Sequence, residues 1–235
     1  MDSTSYLREV SENLDRLVKN KKLRNLEKLE KDFSQAKEAV EYSIRYMVRD
    51  NVEYAKSLRQ KSFEILSKVE SFSQDFVPKS LLEDLKLFLK YCRMSVYEFT
   101  DRIKDVRRAY RSYLWGMIIF LLLGGTYRME FAVSAIILAF PIILAMGGLR
   151  RRRATGLMLA YATMPLPMVI FVMMLTYALY AFNNPEEISF IASAYGTSIE
   201  TAYLLIILVS LGSFIGLFLL SYALKKLVEN RYAFF

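Results

Sequence analysis

Glycine and charge divide this sequence at a single point. All nine glycines lie at or beyond Gly116, while residues 1–112 hold 24 of the 32 Lys and Arg and 19 of the 24 Asp and Glu. Residues 113–235 keep 8 basic and 5 acidic side chains. A charged stretch without glycine runs readily as long helices, because glycine costs a helix about 1 kcal/mol against alanine. A stretch almost without charge needs an apolar surrounding. The partition predicts an all-α chain in two domains. Residues 1–112 form an N-terminal cytosolic helical bundle or coiled coil, and residues 113–235 a transmembrane domain.

Four apolar stretches are read as the four transmembrane helices of a polytopic membrane protein. They cover about 113–127, 131–149, 156–182 and 201–224. A spanning helix takes roughly 20 apolar residues; the third and fourth meet this, the second comes close, and Tyr110 and Tyr113 lengthen the first at headgroup level. Only Arg128, Met129 and Glu130 join the first two stretches, so a re-entrant hairpin is the alternative to two full crossings. An exposed re-entrant turn leaves backbone groups unpaired in lipid, which favours four crossings.

Orientation follows from the basic residues. With residues 1–112 inside, Arg150–Arg153 and the tail with Lys225 and Lys226 are inside too. The outer side keeps Arg128 against Glu130, Glu186, Glu187 and Glu200. The positive-inside bias gives a multi-pass protein of the plasma membrane with both termini cytosolic. Arg150, Arg151, Arg152, Arg153, Lys225 and Lys226 are then topology anchors that touch lipid headgroups. Nucleic acid is not expected as a partner, since no wider basic surface or aromatic platform surrounds the arginines.

Within the apolar half, Pro165 and Pro167 each lack an amide hydrogen and predict a kink or an unwound turn, and Pro141 reads the same way. Unwound membrane helices coordinate substrates in transporters. Pro141, Pro165 and Pro167, with Thr163, Thr176, Ser210 and Ser213, are therefore the candidate pathway groups. Gly212 and Gly216 have the small-xxx-small spacing of closely packed helices. A short outer helix is expected at about 185–194, with Asn184 as its cap, Pro185 at its first position and Gly196 past its end. Thr197 and Glu200 read as a capping box for the fourth crossing.

In the charged half, Leu7, Val10, Leu14 and Leu17 step at helical spacing, as do Leu26, Leu29, Phe33, Ala36, Val40, Ile44 and Met47, with a weaker continuation through Leu58, Ile65, Val69, Phe72 and Phe76. Breaks are expected at 19–25, at Arg49–Asn51 and at 76–80, with Ser80 and Glu83 as a capping box. They favour an intrachain bundle over pairing between chains. Leu81, Leu85, Phe88, Cys92, Val96, Phe99, Ile103, Val106, Tyr110 and Tyr113 then keep helical spacing up to the apolar half. They predict one helix from Leu81 to about Tyr127, roughly 70 Å long at 1.5 Å per residue.

The sequence has no histidine and a single cysteine, Cys92. The common zinc, haem and iron–sulfur ligand sets cannot be assembled in one chain, and no cofactor is expected. No Gly-rich phosphate loop is available in the charged half. Three glutamines amid abundant Lys, Glu and Arg lean towards a thermophile's composition. The first residues carry no apolar core, so no cleavable signal peptide is expected. Asp, Glu, Lys and Arg are absent from the third and fourth stretches, which argues against a proton-coupled pump.

The expected function is non-enzymatic: a membrane-anchored helical scaffold or assembly platform whose partners are the bilayer and a cytosolic protein docked on residues 1–112. The alternative is a small homo-oligomeric channel or transporter with its pathway near the third crossing. Secretion-system platform proteins also join a helical bundle to membrane helices, a likeness of architecture alone.

Overall fold

The computed structural model describes residues 2–20, 27–71, 78–127 and 129–234. The chain divides into two compact units, Met1–Lys104 and Asp105–Phe235. The described residues form helices and turns, without strands.

The first unit contains α1 (Ser3–Lys19), α2 (Glu27–Arg45), α3 (Val52–Ser71) and α4 (Lys79–Phe99). α1 packs against α2 and α3, and α4 packs against the same two. The predicted stripes are the core. Leu7, Val10, Leu14, Leu17, Ala36, Val40, Leu85, Cys92 and Phe99 are fully buried, with Leu29, Phe33, Leu58, Ile65 and Val69 nearly so. The stripes thus meet one another within a single chain, as a helical bundle.

Buried polar pairs tie the helices together. Asn13 Nδ2 donates to Ser62 Oγ at 3.0 Å, linking α1 to α3. The Ser43 and Ser95 hydroxyls share a bond of 2.8 Å between α2 and α4. Such pairs fix register more than they add stability, because the alternative is an unpaired buried group.

Several sequence expectations need correction. α4 starts at Lys79 on Pro78, whose φ of −64° and ψ of 148° already form the cap; no side chain caps this end, and Ser80 lies inside the helix. Most of the 19–25 break, together with Leu26, Phe72, Phe76 and Val77, lies outside the described residues. The break between α2 and α3 spans residues 46–51, wider than Arg49–Asn51. Met47 is therefore loop, although it still packs on the core.

The largest correction concerns the expected single helix from Leu81 to Tyr127. α4 ends at Phe99, and α5 starts at Ile103 and runs to Tyr127. The apolar stripe continues across the gap, with Val96, Phe99, Ile103 and Val106 all buried. The cause of the break is tertiary. The backbone amides of Val48 and Arg49 both donate to the Phe99 carbonyl, at 2.8 and 3.1 Å. That oxygen is thereby taken from the helix path. Thr100, 3% exposed, turns extended at φ −116° and ψ 173°; its hydroxyl donates back to the Val96 carbonyl and accepts the Arg102 amide at 3.3 Å.

The second unit holds most of α5, then α6 (Met129–Arg150), α7 (Ala154–Thr163), α8 (Pro165–Asn183), α9 (Pro185–Tyr195), α10 (Ile199–Glu229) and a 3-10 turn, Arg231–Ala233. Among the described residues, two helical stretches are long and apolar enough to cross a membrane: Ala154–Asn183, which joins α7 and α8, and Ile199–Glu229. The described apolar stretch of α6, Ala135–Arg150, is shorter.

Glycines and aromatic rings set the packing in rungs. Gly116 of α5 faces Leu220 of α10, and Gly212 of α10 faces Leu123 of α5. Phe120 meets Phe171 edge to face at 6.3 Å, and the Phe171 ring lies on Gly216. Phe182 stacks on Tyr203 at 6.4 Å. These pairs run α10 antiparallel to both α5 and α8.

The outer surface of this unit is apolar. Among the described residues, 28 large apolar side chains from Trp115 to Val228 are exposed, including Ile136, Phe140, Met158, Leu179 and Phe218. Only 22% of the most apolar window of α10 is buried. A helix in a water-soluble core shows the opposite pattern.

Candidate functional site

The four arginines sit on a turn whose geometry is set by the backbone. α6 ends at Arg150 and α7 starts at Ala154. The Arg152 amide donates to the Leu149 carbonyl at 3.0 Å, and the Arg153 amide to the Gly148 carbonyl at 2.9 Å. This is the Schellman closure of a helix, which places one residue in the left-handed region. Arg152 takes that place at φ 55°, the only non-glycine residue with positive φ among those described. Glycine is the usual occupant, and an L side chain there costs about 1–2 kcal/mol. Arg150, Arg151 and Arg153 are exposed, and Arg152 is half-buried.

The turn is held shut by two glycines that flank it. A β-carbon on Gly148 would lie 2.4 Å from the Gly156 α-carbon, and one on Gly156 would lie 2.3 Å from the Gly148 carbonyl carbon. α6 and α7 therefore touch backbone to backbone. Gly147, by contrast, faces open space.

The same end of the unit carries the other basic residues. Lys226, in the last turn of α10, pairs with Glu229 at 2.7 Å, while Lys225 is exposed. Because α5 and α10 are antiparallel, Arg107, Arg108 and Arg111 belong to this end as well. Glu186, Glu187 and Glu200 lie at the other. The unit is thus polarised along its helices.

The proline stretch stays close to helical. Met164, between α7 and α8, keeps φ −69° and ψ −40°. Its amide reaches the Ala160 carbonyl at 3.1 Å, and its carbonyl accepts the Met168 amide at 3.2 Å. Pro165 opens α8 with Pro167 buried two residues on. What is lost is hydrogen bonding: no amide exists at Pro165 or Pro167 to reach the carbonyls of Tyr161 and Thr163. Pro141 lies inside α6, which continues through it.

The polar candidates are placed separately. The Thr163 hydroxyl bonds the Tyr113 hydroxyl at 2.8 Å, both residues being buried, and also donates to the Leu159 carbonyl at 2.9 Å. Thr176 is exposed and bonds back to the Val172 carbonyl at 2.9 Å. Ser213 is fully buried with its hydroxyl on Met174 Sδ at 3.4 Å. Ser210, one turn before Ser213 on α10, is half-buried. Thr163 shares no cluster with Ser210 or Ser213. Gly216 is buried under Phe171, and Gly212 lies against Leu123.

At the acidic end, α9 has Pro185 at its first position and Gly196 at φ 61° past its last. Asn184 precedes it, but its amide donates to the Tyr180 carbonyl at 2.8 Å and so closes α8 instead. Ser198, not Thr197, caps α10: its hydroxyl accepts the Thr201 amide at 3.2 Å. The helix begins one residue later than the capping-box spacing implied. Tyr177 of α8 donates to Glu187 Oε1 at 2.7 Å and pins α9 down.

Sequence reasoning passed over the Gly148–Gly156 contact and the Tyr113–Thr163 bond. The first had a signal: two glycines eight residues apart, straddling a turn. The second had none, since Tyr113 read as an interface residue. Among the described residues, no three His, Cys, Asp or Glu side chains converge as a metal site would need. Compared with protein-family models, curated proteins and solved structures, the chain shows no match.

Proposed function

We propose that this chain is a non-enzymatic integral membrane protein that acts as a scaffold or assembly platform, docking a partner on its N-terminal bundle. The observation that carries this reading is the contrast between the two units. The bundle of residues 2–104 closes its apolar stripes on themselves and presents charge. The unit of residues 105–234 presents apolar side chains along most of its helices, as a lipid-facing surface does.

In this reading the chain crosses the bilayer four times, with α5 and α6 as the first two crossings, α7 with α8 as the third and α10 as the fourth. α6 has 22 residues, which at 1.5 Å each span about 33 Å, enough for a hydrocarbon core of roughly 30 Å. Both termini lie in the cytosol, because the basic end of the unit then faces the inner leaflet of the plasma membrane. α9 lies on the outer face.

The homo-oligomeric channel remains the second reading. Against it stands the use of the polar groups: Thr163 and Ser213 spend their hydroxyls on Tyr113 and Met174, and Thr176 turns back on its own helix. A lining residue keeps such groups for the permeant species.

The two readings separate in one pair of measurements. The full chain is crosslinked in native membranes and purified, and its flux is measured in proteoliposomes. A stoichiometric protein partner lost on mutating the bundle surface, with flux no greater than in empty vesicles, supports the scaffold. Flux that responds to Pro165→Ala, without any partner, overturns it in favour of the channel.

A further inference from the structure

Six large apolar side chains are exposed among the described residues of Met1–Lys104, and three of them, Tyr46, Val48 and Val52, lie within one short stretch. This stretch is the loop that joins α2 to α3 and the first residue of α3. Tyr46 is 52% exposed and Val48 65%, with Arg45 and Arg49 exposed on either side. The loop is not loose. Its Val48 and Arg49 amides hold the Phe99 carbonyl. Met47 packs on the core and accepts the Thr4 hydroxyl at 3.7 Å, and Asp50 accepts the Ser3 hydroxyl. An ordered loop that keeps an aromatic and an aliphatic tip in water, between two arginines, has the composition of a membrane-interface element.

Charge selects the occupant. Arg45 and Arg49 flank the tips; Asp101 is paired with Lys104 at 2.7 Å, Asp50 accepts the Ser3 hydroxyl and keeps its charge, and residues 100–112, which follow the bonded Phe99, add five basic side chains against two acids. Glu53 stands in the first turn of α3. The loop is also bonded to Phe99, which lies fourteen positions before the apolar half begins at Tyr113. We infer that the α2–α3 loop is a lipid contact: Tyr46 and Val48 enter the headgroup layer of an anionic bilayer, and Arg45 and Arg49 engage its phosphates. The bundle is then held to the membrane surface by its own loop in addition to its tether. This rests on the membrane reading proposed above.

The test uses the full chain in vesicles of phosphatidylcholine with or without phosphatidylglycerol. An environment-sensitive fluorophore is placed on Val48→Cys, on Glu38→Cys elsewhere on the bundle, and on Leu211→Cys in α10. The parent chain is the blank, since Cys92 is fully buried. Lipids spin-labelled at the headgroup should quench the Val48→Cys probe, more strongly with phosphatidylglycerol present, and leave the Glu38→Cys probe unchanged. Lipids spin-labelled on the acyl chain should quench the Leu211→Cys probe. Adding Arg45→Gln and Arg49→Gln to Val48→Cys should remove the phosphatidylglycerol increment. If the Val48→Cys probe behaves like the Glu38→Cys probe while the Leu211→Cys probe is quenched, the loop contact is wrong and the membrane reading stands. If the Leu211→Cys probe is not quenched, both fall.

Discussion

Gly148 and Gly156 approach each other across the arginine turn until no β-carbon fits between them. Replacing Gly156 with alanine forces a methyl group to within 2.3 Å of the Gly148 carbonyl carbon, so α6 and α7 must separate. Overpacking of this kind costs typically 1–3 kcal/mol. Thermal unfolding of the purified protein should show the loss for Gly148→Ala and Gly156→Ala. Gly147→Ala is the contrast: it meets nothing within 4 Å and should gain about 0.5–1 kcal/mol from lower backbone freedom in the unfolded chain. Equal effects at the three positions would refute the close contact.

Arg152 holds a left-handed conformation that suits glycine. Arg152→Gly should therefore stabilise the turn by about 1 kcal/mol, measured as a rise in midpoint temperature, although it removes a charge. Arg152→Val should lower it, because a β-branched residue is worse still at positive φ.

The Tyr113–Thr163 bond is asymmetric in its consequences. Tyr113→Phe removes one hydroxyl and leaves Thr163 with the Leu159 carbonyl, at a cost of about 0.5–1.5 kcal/mol. Thr163→Val leaves the Tyr113 hydroxyl buried without this partner and should cost about 1–3 kcal/mol. Denaturation of both variants and of the double mutant checks the order; a larger loss for Tyr113→Phe would contradict it.

Burial pushes the Cys92 thiol well above its ordinary value of 9.0. The neutral thiol is thus favoured in the folded bundle, and its contribution to stability is complete below pH 9 and declines as pH rises above it. At pH 8 a maleimide should react with Cys92 only as fast as the bundle opens, so the labelling rate should follow denaturant concentration. Rapid labelling of the folded protein would show that the thiol is accessible.

The Lys226–Glu229 pair, at 2.7 Å, gives an exposed counterpart. Glu229→Gln should lower the unfolding midpoint only slightly, and added salt should remove the difference. A large loss that persists in high salt would contradict this.

Apolar spacing made the helices legible, since burial on one face is a property of sequence order alone. Apart from the half-buried Tyr110, the stripe from Leu81 to Tyr113 marks buried positions on both sides of Thr100. It says nothing of the break, because the amides that hold the Phe99 carbonyl come from residues some fifty positions earlier. Caps failed for a related reason. Ser80, Asn184 and Thr197 all have capping chemistry, but Pro78, the Tyr180 carbonyl and Ser198 decide where each helix starts or ends. At the candidate site, residue types were legible and partners were not: Thr163 and Ser213 were picked for their hydroxyls, yet what those hydroxyls reach depends on helices brought together from elsewhere in the chain.

The end of α4 is decided by the spacing of a loop, with consequences for how this chain can change length. A residue gained or lost between Tyr46 and Asn51 would offer the Phe99 carbonyl a different pair of amides, or none. The stop would then slip along α4, and every residue after it would rotate by about 100° per position, the angular step of an α-helix. Length changes should therefore be tolerated poorly here and far better at exposed tips elsewhere, which makes this six-residue connector a ruler for the chain that follows.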